Sequence, residues 1–270
     1  MEAPIIDDEL WILIEPLLPP AKLRAKSDPG RPRVSDRAAL NGILFVFKTG
    51  IRWNHLPTRL GFGSGATCWR RLSDWQKAGV WDQLHELLLD KLRAAGQIDL
   101  SYAAVDSSSV RAVGGEKLAR TTDRARPGSK HHVLVDANGV PLVAILTGAN
   151  TNDVTQLLPL VDAIPPIRGV RGRPLQKPGV VYADRGYDST RHRRALRERG
   201  IKPVIAKRRT EHGSGLGKYR WVVERTHSWL HNFRRLRTRF ERSAYIHEAF
   251  LKLGCSLICW NIFRRAVQGF

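Results

Sequence analysis

The sequence predicts an α/β protein in which a mainly helical N-terminal region precedes a domain of alternating strands and helices. Apolar residues recur at helical spacing through the first hundred residues. After Gly96 short β-rich runs replace them, and from there strands and helices follow one another to the end of the chain. We therefore expect an N-terminal domain over residues 1–98 and a second domain over residues 99–270.

The N-terminal region contains apolar-periodic segments with recognisable helix boundaries. DELWILIEPLLPP ends at a proline pair, and a basic linker with Pro and Gly follows it. Ser35 or Asp36 is placed to cap the next helix, RAALNGILFVFKTG, and Gly50 stands where a C-terminal glycine is expected. From Ser64 onward two more helical segments are separated near residues 77–80. That pair suits a helix-turn-helix, a common DNA-binding unit.

The second region predicts a fixed order of strands and helices. Three β-rich runs come first, YAAVDSSSV, KHHVLVDANG and VPLVAILTGA, with a hairpin turn signal at residues 136–139 between the last two. The pattern then predicts a helix in TNDVTQLLPLVDAI, a strand in GVVYADRGYDS, a basic helix in STRHRRALRERG and a strand in KPVIAKRR. We expect a long helix over about residues 218–239 and a last one in AYIHEAFLKLGCSLICWNIFRRAV.

The charge of the chain indicates a polyanionic partner. Lys and Arg number 45 against 25 Asp and Glu, which gives a net charge of +20 and a pI near 10.7. Nucleic acid is the usual partner of so basic a protein, because each neutralised phosphate releases counterions. No apolar stretch reaches the roughly 20 residues of a membrane span, and no basic amphipathic anchor is visible. The chain also starts without a signal-peptide pattern, so we expect a cytoplasmic protein without a membrane partner.

Three acidic residues are the candidate reaction centre. Asp106 ends the apolar run AAV, Asp184 ends VVYA, and Glu224 lies within the helical segment YRWVVERTHSW. Ligands of open α/β sheets bind beyond the carboxyl ends of strands, and a helix laid across the sheet would bring the glutamate to the two aspartates. Converging carboxylates suit hard divalent cations, Mg²⁺ above all. Two such ions can clamp an in-line displacement at phosphorus, which makes a covalent nucleophile unnecessary.

Five motifs, in order, resemble those of the DDE transposases of bacterial insertion sequences, with the IS5 family as the nearest match. They are VDSSSVRA, GSKHHVLVDANGVPL, ANTNDV, YADRGYDS and VERTHSWL, and SDRAALNGILFVFKTGIRWNHLP and TCWRRLSDWQKAGVWDQL resemble that family's N-terminal helices. The resemblance implies an RNase H-like catalytic domain, a mixed central sheet flanked by helices, behind a helix-turn-helix-like N-terminal domain. It also implies that Asp106, Asp184 and Glu224 form the DDE triad and hold two Mg²⁺ ions, with Mn²⁺ as a substitute.

The same resemblance implies binding to the terminal inverted repeats of a mobile element, followed by strand cleavage and strand transfer. Pairing two element ends implies a homodimer or a larger assembly on double-stranded DNA. Related elements have an Arg four residues before the glutamate, a Tyr three before that Arg and a Lys seven after the glutamate. Arg220 matches, whereas Tyr219 is adjacent to Arg220 and His231 replaces the Lys. Arg220 is therefore the expected phosphate contact near the triad.

A basic stretch around the third acid predicts a phosphate-binding surface. Residues 202–242 contain 12 Lys and Arg against 3 acids. The candidate DNA contacts are Arg220, Arg225, Lys130, Arg234, Arg235, Arg237, Arg70 and Arg71. Two Gly-Arg-Pro tripeptides, at 30–32 and 172–174, are similar to short basic motifs that enter A·T-rich minor grooves. Asn152 or Asp153 is expected to cap the helix that follows.

Two other functions agree with part of this pattern. A helix-turn-helix regulator would explain the charge and the N-terminal helices but would leave the acidic α/β domain without a task. An RNase H-like nuclease would use the same acids to hydrolyse DNA without joining strands. Cleavage and joining by purified protein with Mg²⁺ separates the three.

Overall fold

The N-terminal region is helical, as predicted. The computed structural model describes residues 5–21, 32–113, 127–209 and 215–269. The first four helices are α1 (Asp8–Ile14), α2 (Asp36–Thr49), α3 (Gly65–Lys77) and α4 (Val80–Ala94). Ser35 caps α2 by accepting a hydrogen bond from the backbone N–H of Ala38 at 3.2 Å, and Gly50 ends it with φ +75°. Gly79, at φ +72°, makes the tight turn between α3 and α4, so the predicted hinge is confirmed.

A mixed sheet forms the centre of the second region. Its strands are β1 (Tyr102–Ala112), β2 (Gly128–Asp136), β3 (Pro141–Gly148), β4 (Val180–Ala183), β5 (Lys202–Ile205) and β6 (Thr238–Arg239). The spatial order is β3-β2-β1-β4-β5, with β6 beside the end of β1. β1, β2 and β3 pair antiparallel, whereas β4 and β5 run parallel to β1. The predicted α/β, RNase H-like architecture with a mixed sheet is confirmed.

Helices cover the sheet on both sides. They are α5 (Leu157–Asp162), α6 (Thr190–Glu198), α7 (Gly217–His231), α8 (Arg234–Arg237) and α9 (Ala244–Gln268). α7 packs across β1 and β2, and α9 packs on β3, whereas α5 lies against β2 and β3 and α6 against β5. Alternation along β1 separates the two faces: Asp106 meets Arg220 of α7, while its neighbour Ser107 contacts Asp153, just before α5.

The predicted continuous helix over residues 218–239 is wrong. α7 ends at His231, and a short separate helix, α8, follows an interruption at Asn232 and Phe233. The interruption turns the Phe233 ring into the core, where it stacks on Phe47 at a centroid distance of 4.4 Å. Burial of this aromatic pair therefore outweighs the helical propensity of the arginine-rich stretch.

The N-terminal helices and α9 share one hydrophobic core. α9 packs along α4, and Lys252 of α9 forms an ion pair with Asp82 of α4 at 2.8 Å. Trp260 donates its indole N–H to Asp7, in front of α1, at 3.0 Å. The boundary between residues 98 and 99 stays a prediction. Within the described ranges, no helix combines the length and apolar character needed to cross a bilayer.

Candidate active site

Asp106 lies on β1, and Asp184 directly follows β4, the parallel neighbour of β1. Ala104 is paired with Tyr182, and continuing that register by two residues brings Asp106 level with Asp184. Asp184 directly follows β4, as predicted, but Asp106 lies in the middle of β1. β1 continues past Asp106 because it pairs with β2 as far as Arg111. The two carboxylates thus share one face of the sheet.

Helix α7 brings Glu224 to the same face. Tyr219, in the first turns of α7, stacks on Tyr182 of β4 with ring centroids 4.3 Å apart and planes 9° apart. This contact gives Tyr219 a packing role. One turn farther along α7, Glu224 is exposed. Arg220, one turn before the glutamate, places Nη2 3.3 Å from Oδ2 of Asp106.

The charge at Asp106 is not balanced. The pKa of Asp106 is raised to about 6, mainly by burial and also by the neighbouring Asp184 and Glu224, although Arg220 and a hydrogen bond from the Ser107 N–H act to lower it. Within the described residues, the buried Nε of Arg220 has no hydrogen-bond partner. A carboxylate whose pKa is raised by burial and by neighbouring acids is typical of a reaction centre.

The donor set fits a hard divalent cation. Asp106, Asp184 and Glu224 offer only carboxylate oxygens, the ligands that Mg²⁺ and Mn²⁺ prefer. In the described parts of the chain, no three His, Cys, Asp or Glu side chains are close enough to hold a metal ion as they stand. Arg220 contacts one of the oxygens that such an ion would use. Joint ligation by the three acids therefore requires side-chain movement from this arrangement.

A fourth acid, Asp153, lies beside the site, and sequence reasoning assigned it only a capping role. Ser107 donates its hydroxyl to Oδ1 of Asp153 at 2.8 Å, and Lys130 donates to the same oxygen at 3.0 Å. Asn152, at the cap position, makes no capping hydrogen bond with its side chain. The ANTNDV motif was the available signal, but its partners on β1 and β2 follow only from the strand register.

Lys130 was a predicted DNA contact, and the structure corrects this. Its side chain is only 9% exposed, and its ammonium group donates to the carbonyl of Thr151 at 2.9 Å as well as to Asp153. A lysine with its donors used inside the protein is not available to a phosphate. We assign Lys130 to the support of Asp153.

Arg235 is also removed from the predicted DNA-contacting set. It is 3% exposed and pairs with the equally buried Glu241 at 2.7 Å. A second nitrogen donates to the backbone carbonyl of Ile51, and the guanidinium lies over the Trp53 ring. The arginine therefore joins α8 to the N-terminal helices.

Two further predicted contacts are engaged within the protein. The Arg225 guanidinium lies 4.4 Å from the ring centre of Trp221 and 4.6 Å from that of Trp229, and it donates to the carbonyl of Asn138. Arg71 forms an ion pair with Asp36, the first residue of α2. The exposed side chains of the predicted set are Arg70, Arg234 and Arg237.

Several histidines of β2, α7 and α9 lie close to one another. Nε2 of His131 on β2 and Nε2 of His247 on α9 are 2.8 Å apart, in the protein interior. Burial lowers the pKa of His132 and of His227 to about 4. His231, at the end of α7, reaches the Ser108 hydroxyl at 3.3 Å. These histidines are therefore neutral at physiological pH.

Comparison with known families agrees with this geometry. Residues 99–262 match the family described as "Transposase DDE domain", and residues 6–85 match "Putative transposase of IS4/5 family". The first of these matches covers more than half of the chain. The chain belongs to the DDE transposase family.

Relatives of this transposase come from bacterial insertion sequences. It is 84% identical over 147 residues to "Putative transposase for insertion sequence element IS402" of Burkholderia cepacia, over 54% of this chain and 70% of that protein. It is 71% identical over 127 residues to "Insertion element IS402 uncharacterized 16.2 kDa protein" of the same organism, over 47% and 86%. "Transposase for insertion sequence element IS1106" of Neisseria meningitidis serogroup B is 30% identical over 153 residues, 52% of this chain and 47% of that protein.

The two family matches divide the transposase much as the fold does. The DDE match contains β1 to α7 with the three acids, and the other contains α1 to α3 and the start of α4. The transposase is thus an enzyme of DNA strand cleavage and transfer that acts for an insertion sequence, and its substrate is DNA.

Proposed function

We propose that this transposase binds the terminal inverted repeats of its element and cuts and joins DNA strands at Asp106, Asp184 and Glu224 with divalent metal ions. The observation that carries the proposal is the placement of Asp106 on β1 and of Asp184 directly after its parallel neighbour β4, with the helix that holds the glutamate packed on both strands. The raised pKa of Asp106 supports it, because a bound cation would stabilise a carboxylate whose negative charge Arg220 only partly neutralises.

The three acids would hold Mg²⁺, as two ions, with Mn²⁺ as a substitute. Bound there, the metal would supply Lewis-acid stabilisation of the phosphoryl oxygens and a lowered pKa for the attacking water or hydroxyl. Arg220 holds Asp106 beforehand and, once released, can pair with a DNA phosphate. Ser107 and Ser108 are bystanders, since their hydroxyls contact Asp153 and His231.

DNA binding is assigned to exposed basic residues of both regions. Arg234 and Arg237 of α8 follow the helix that holds Glu224, and Arg70 lies on the predicted helix-turn-helix. Arg70 also lines a groove of about 1030 Å³ together with Arg33 and Lys77. We propose residues 1–98 as the repeat-binding domain and residues 99–270 as the catalytic domain.

The active assembly is proposed to be a homodimer or larger on DNA. A single set of three acids serves one element end at a time, and excision requires both ends. Mass photometry should show a species with at least two chains when repeat DNA is added. A complex with a single chain that still joins strands would contradict this part of the proposal.

The test is an assay with purified protein, Mg²⁺ and a duplex with the element's terminal repeat. We expect nicking and strand joining by the wild type, abolished by EDTA and by Asp106→Ala or Asp184→Ala, with DNA binding retained. Asp162→Ala is the matched control, because this acid is exposed on α5 and pairs with Arg199. Cleavage by either active-site variant at the wild-type rate would overturn the assignment.

The same assay separates the other two functions. Binding without metal-dependent cleavage would indicate a helix-turn-helix regulator. Cleavage that never leads to joined products would indicate an RNase H-like nuclease.

A further inference from the structure

The connection between α5 and β4 contains a clasped hairpin, residues 167–175, which we call the basic hairpin. Ile167 and Leu175 exchange two backbone hydrogen bonds of 2.9 Å each and close its base. Gly172 has φ +88°, a conformation that L side chains rarely adopt, and it lets the chain turn back before Pro174. The hairpin therefore has a defined shape of its own.

The C-terminal end of helix α4 forms hydrogen bonds with the basic hairpin. Arg93, in the last turn of α4, donates to the carbonyl of Ile167 and, at 2.7 Å, to that of Arg173. Asp90, one turn earlier, accepts a hydrogen bond from the backbone N–H of Arg168. Three hydrogen bonds with one helix end, together with an ion pair between Arg168 and Asp90, fix the orientation of an exposed loop and leave the side chains of Arg171 and Arg173 free of that task.

The exposed side of the hairpin is strongly positive. Residues 163–183 contain four Lys and Arg and no Asp or Glu. Arg171 and Arg173 are exposed, and among the described residues their guanidinium groups have no ion-pair or hydrogen-bond partner. Val170 at the tip is 81% exposed. Two exposed arginines without ion-pair partners, held on a folded loop, are suited to binding a polyanion.

The local sequence favours the minor groove of DNA over an acidic protein surface. Arg173 is flanked by Gly172, which lets the backbone approach closely, and by Pro174, which keeps the chain extended. The minor groove is only about 6 Å wide and is narrowest in A·T tracts, where its negative potential attracts arginine. A thin Gly-Arg-Pro segment can enter such a groove, whereas a helix cannot.

We infer that the basic hairpin is a second DNA-contacting element in which Arg173 enters the minor groove of A·T-rich DNA. This rests on the proposed function, in which the substrate is element DNA. The hairpin leads through residues 176–179 into the start of β4, and Asp184 directly follows the other end of that strand.

The test measures binding of the full chain to two 20-bp duplexes by fluorescence anisotropy, one with a central A·T tract and one G·C-rich. We expect the wild type to prefer the A·T duplex and Arg173→Ala to weaken that binding about tenfold, with less than a twofold change on the G·C duplex. Arg171→Ala should weaken binding to both equally. Arg265→Ala is the matched control and should change neither, because Arg265 is exposed at the end of α9 and its side chain has no partner in the part of the chain that the structure describes.

Distamycin, which occupies A·T minor grooves, should compete with the wild type and not with Arg173→Ala. Equal losses on both duplexes would reduce Arg173 to a phosphate contact and overturn the inference, as would wild-type binding without A·T preference. Cleavage of the repeat duplex by the same wild-type sample keeps the two proposals apart. Cleavage without an effect of Arg173 removes only this inference, whereas Arg173-dependent A·T binding without cleavage removes only the proposed function.

Discussion

Two clusters of charge in this transposase differ in how completely they are neutralised. At Arg235 and Glu241 one cation meets one anion at 2.7 Å, and a backbone carbonyl takes a further donor. At Asp106 one cation, Arg220, stands against three neighbouring acids and forms an ion pair only with Asp106 among the described residues, and the pKa of Asp106 rises to about 6. A buried ion pair whose charges are neutralised joins parts of the fold. A group of acids whose charge is not neutralised lowers stability and is typical of a functional site.

The largest effect on stability is expected at the balanced cluster. Arg235→Ala should lower the free energy of unfolding by about 3–5 kcal/mol, because it leaves Glu241 buried without its partner. Urea denaturation followed by circular dichroism measures this. The matched variant is Arg237→Ala, an exposed arginine of the same short helix. A loss below about 1 kcal/mol in Arg235→Ala would show that the pair is not structural.

An intermediate effect is expected in acid, where the buried histidines become charged. The pKa of His227 is about 4 in the fold against an ordinary 6.5, so the unfolded chain binds the proton more readily. The stability from the neutral ring is thus fully present above pH 6.5 and is lost as pH falls toward 4. At pH 5 the loss is roughly 2 kcal/mol.

His227→Phe tests this assignment directly. It keeps the ring, removes the titrating group, and should flatten the decline in unfolding free energy between pH 7 and 5 by that amount. His55→Phe, at an exposed histidine, should leave the decline intact. An unchanged pH profile in His227→Phe would place the acid sensitivity elsewhere.

The smallest effect on stability is expected at Arg237, an exposed residue of α8. Arg237→Ala should change the free energy of unfolding by less than about 0.5 kcal/mol, since the side chain is exposed. The substitution should instead weaken DNA binding. The slope of the logarithm of the binding constant against the logarithm of the salt concentration should become shallower by about 1, as expected for one lost phosphate contact. An unchanged slope would remove Arg237 from the DNA surface, as burial has already done for Arg235.

These arginines also show what sequence could and could not predict. The helix and strand order, the hinge at Gly79 and the position of Asp184 after β4 follow from periodicity and turn residues. The inward turn of Arg235 could not be predicted, because charge density along a chain does not reveal which guanidinium meets Glu241. The break after α7 could not be predicted for the same reason, since it depends on the contact of Phe233 with Phe47 of the distant helix α2.

The environment of the candidate site could likewise not be predicted from the sequence. Asp106 looked like the end of a strand because apolar residues stop there, yet pairing with β2 extends β1 through its serines. Asp153 and Lys130 were assigned to capping and DNA contact, and their mutual bond depends on two strands and a loop coming together. Local rules therefore located the acids, whereas the support around them required the tertiary structure.

Asp106→Asn gives the most direct test, because one substitution should move stability and activity in opposite directions. The pKa of Asp106 is raised in the fold, so its stabilising contribution is fully present below pH 3.8 and is lost as pH rises through about 6. At pH 7.5 the ionised side chain costs roughly 1–3 kcal/mol, which the neutral, isosteric amide removes.

Thermal unfolding in EDTA and cleavage of repeat DNA with Mg²⁺ should be measured on the same preparation of this variant. We expect a protein that is more stable than the wild type and does not cleave. A variant that is less stable than the wild type, or one that still cleaves at the wild-type rate, would contradict the assignment of Asp106 to the reaction centre.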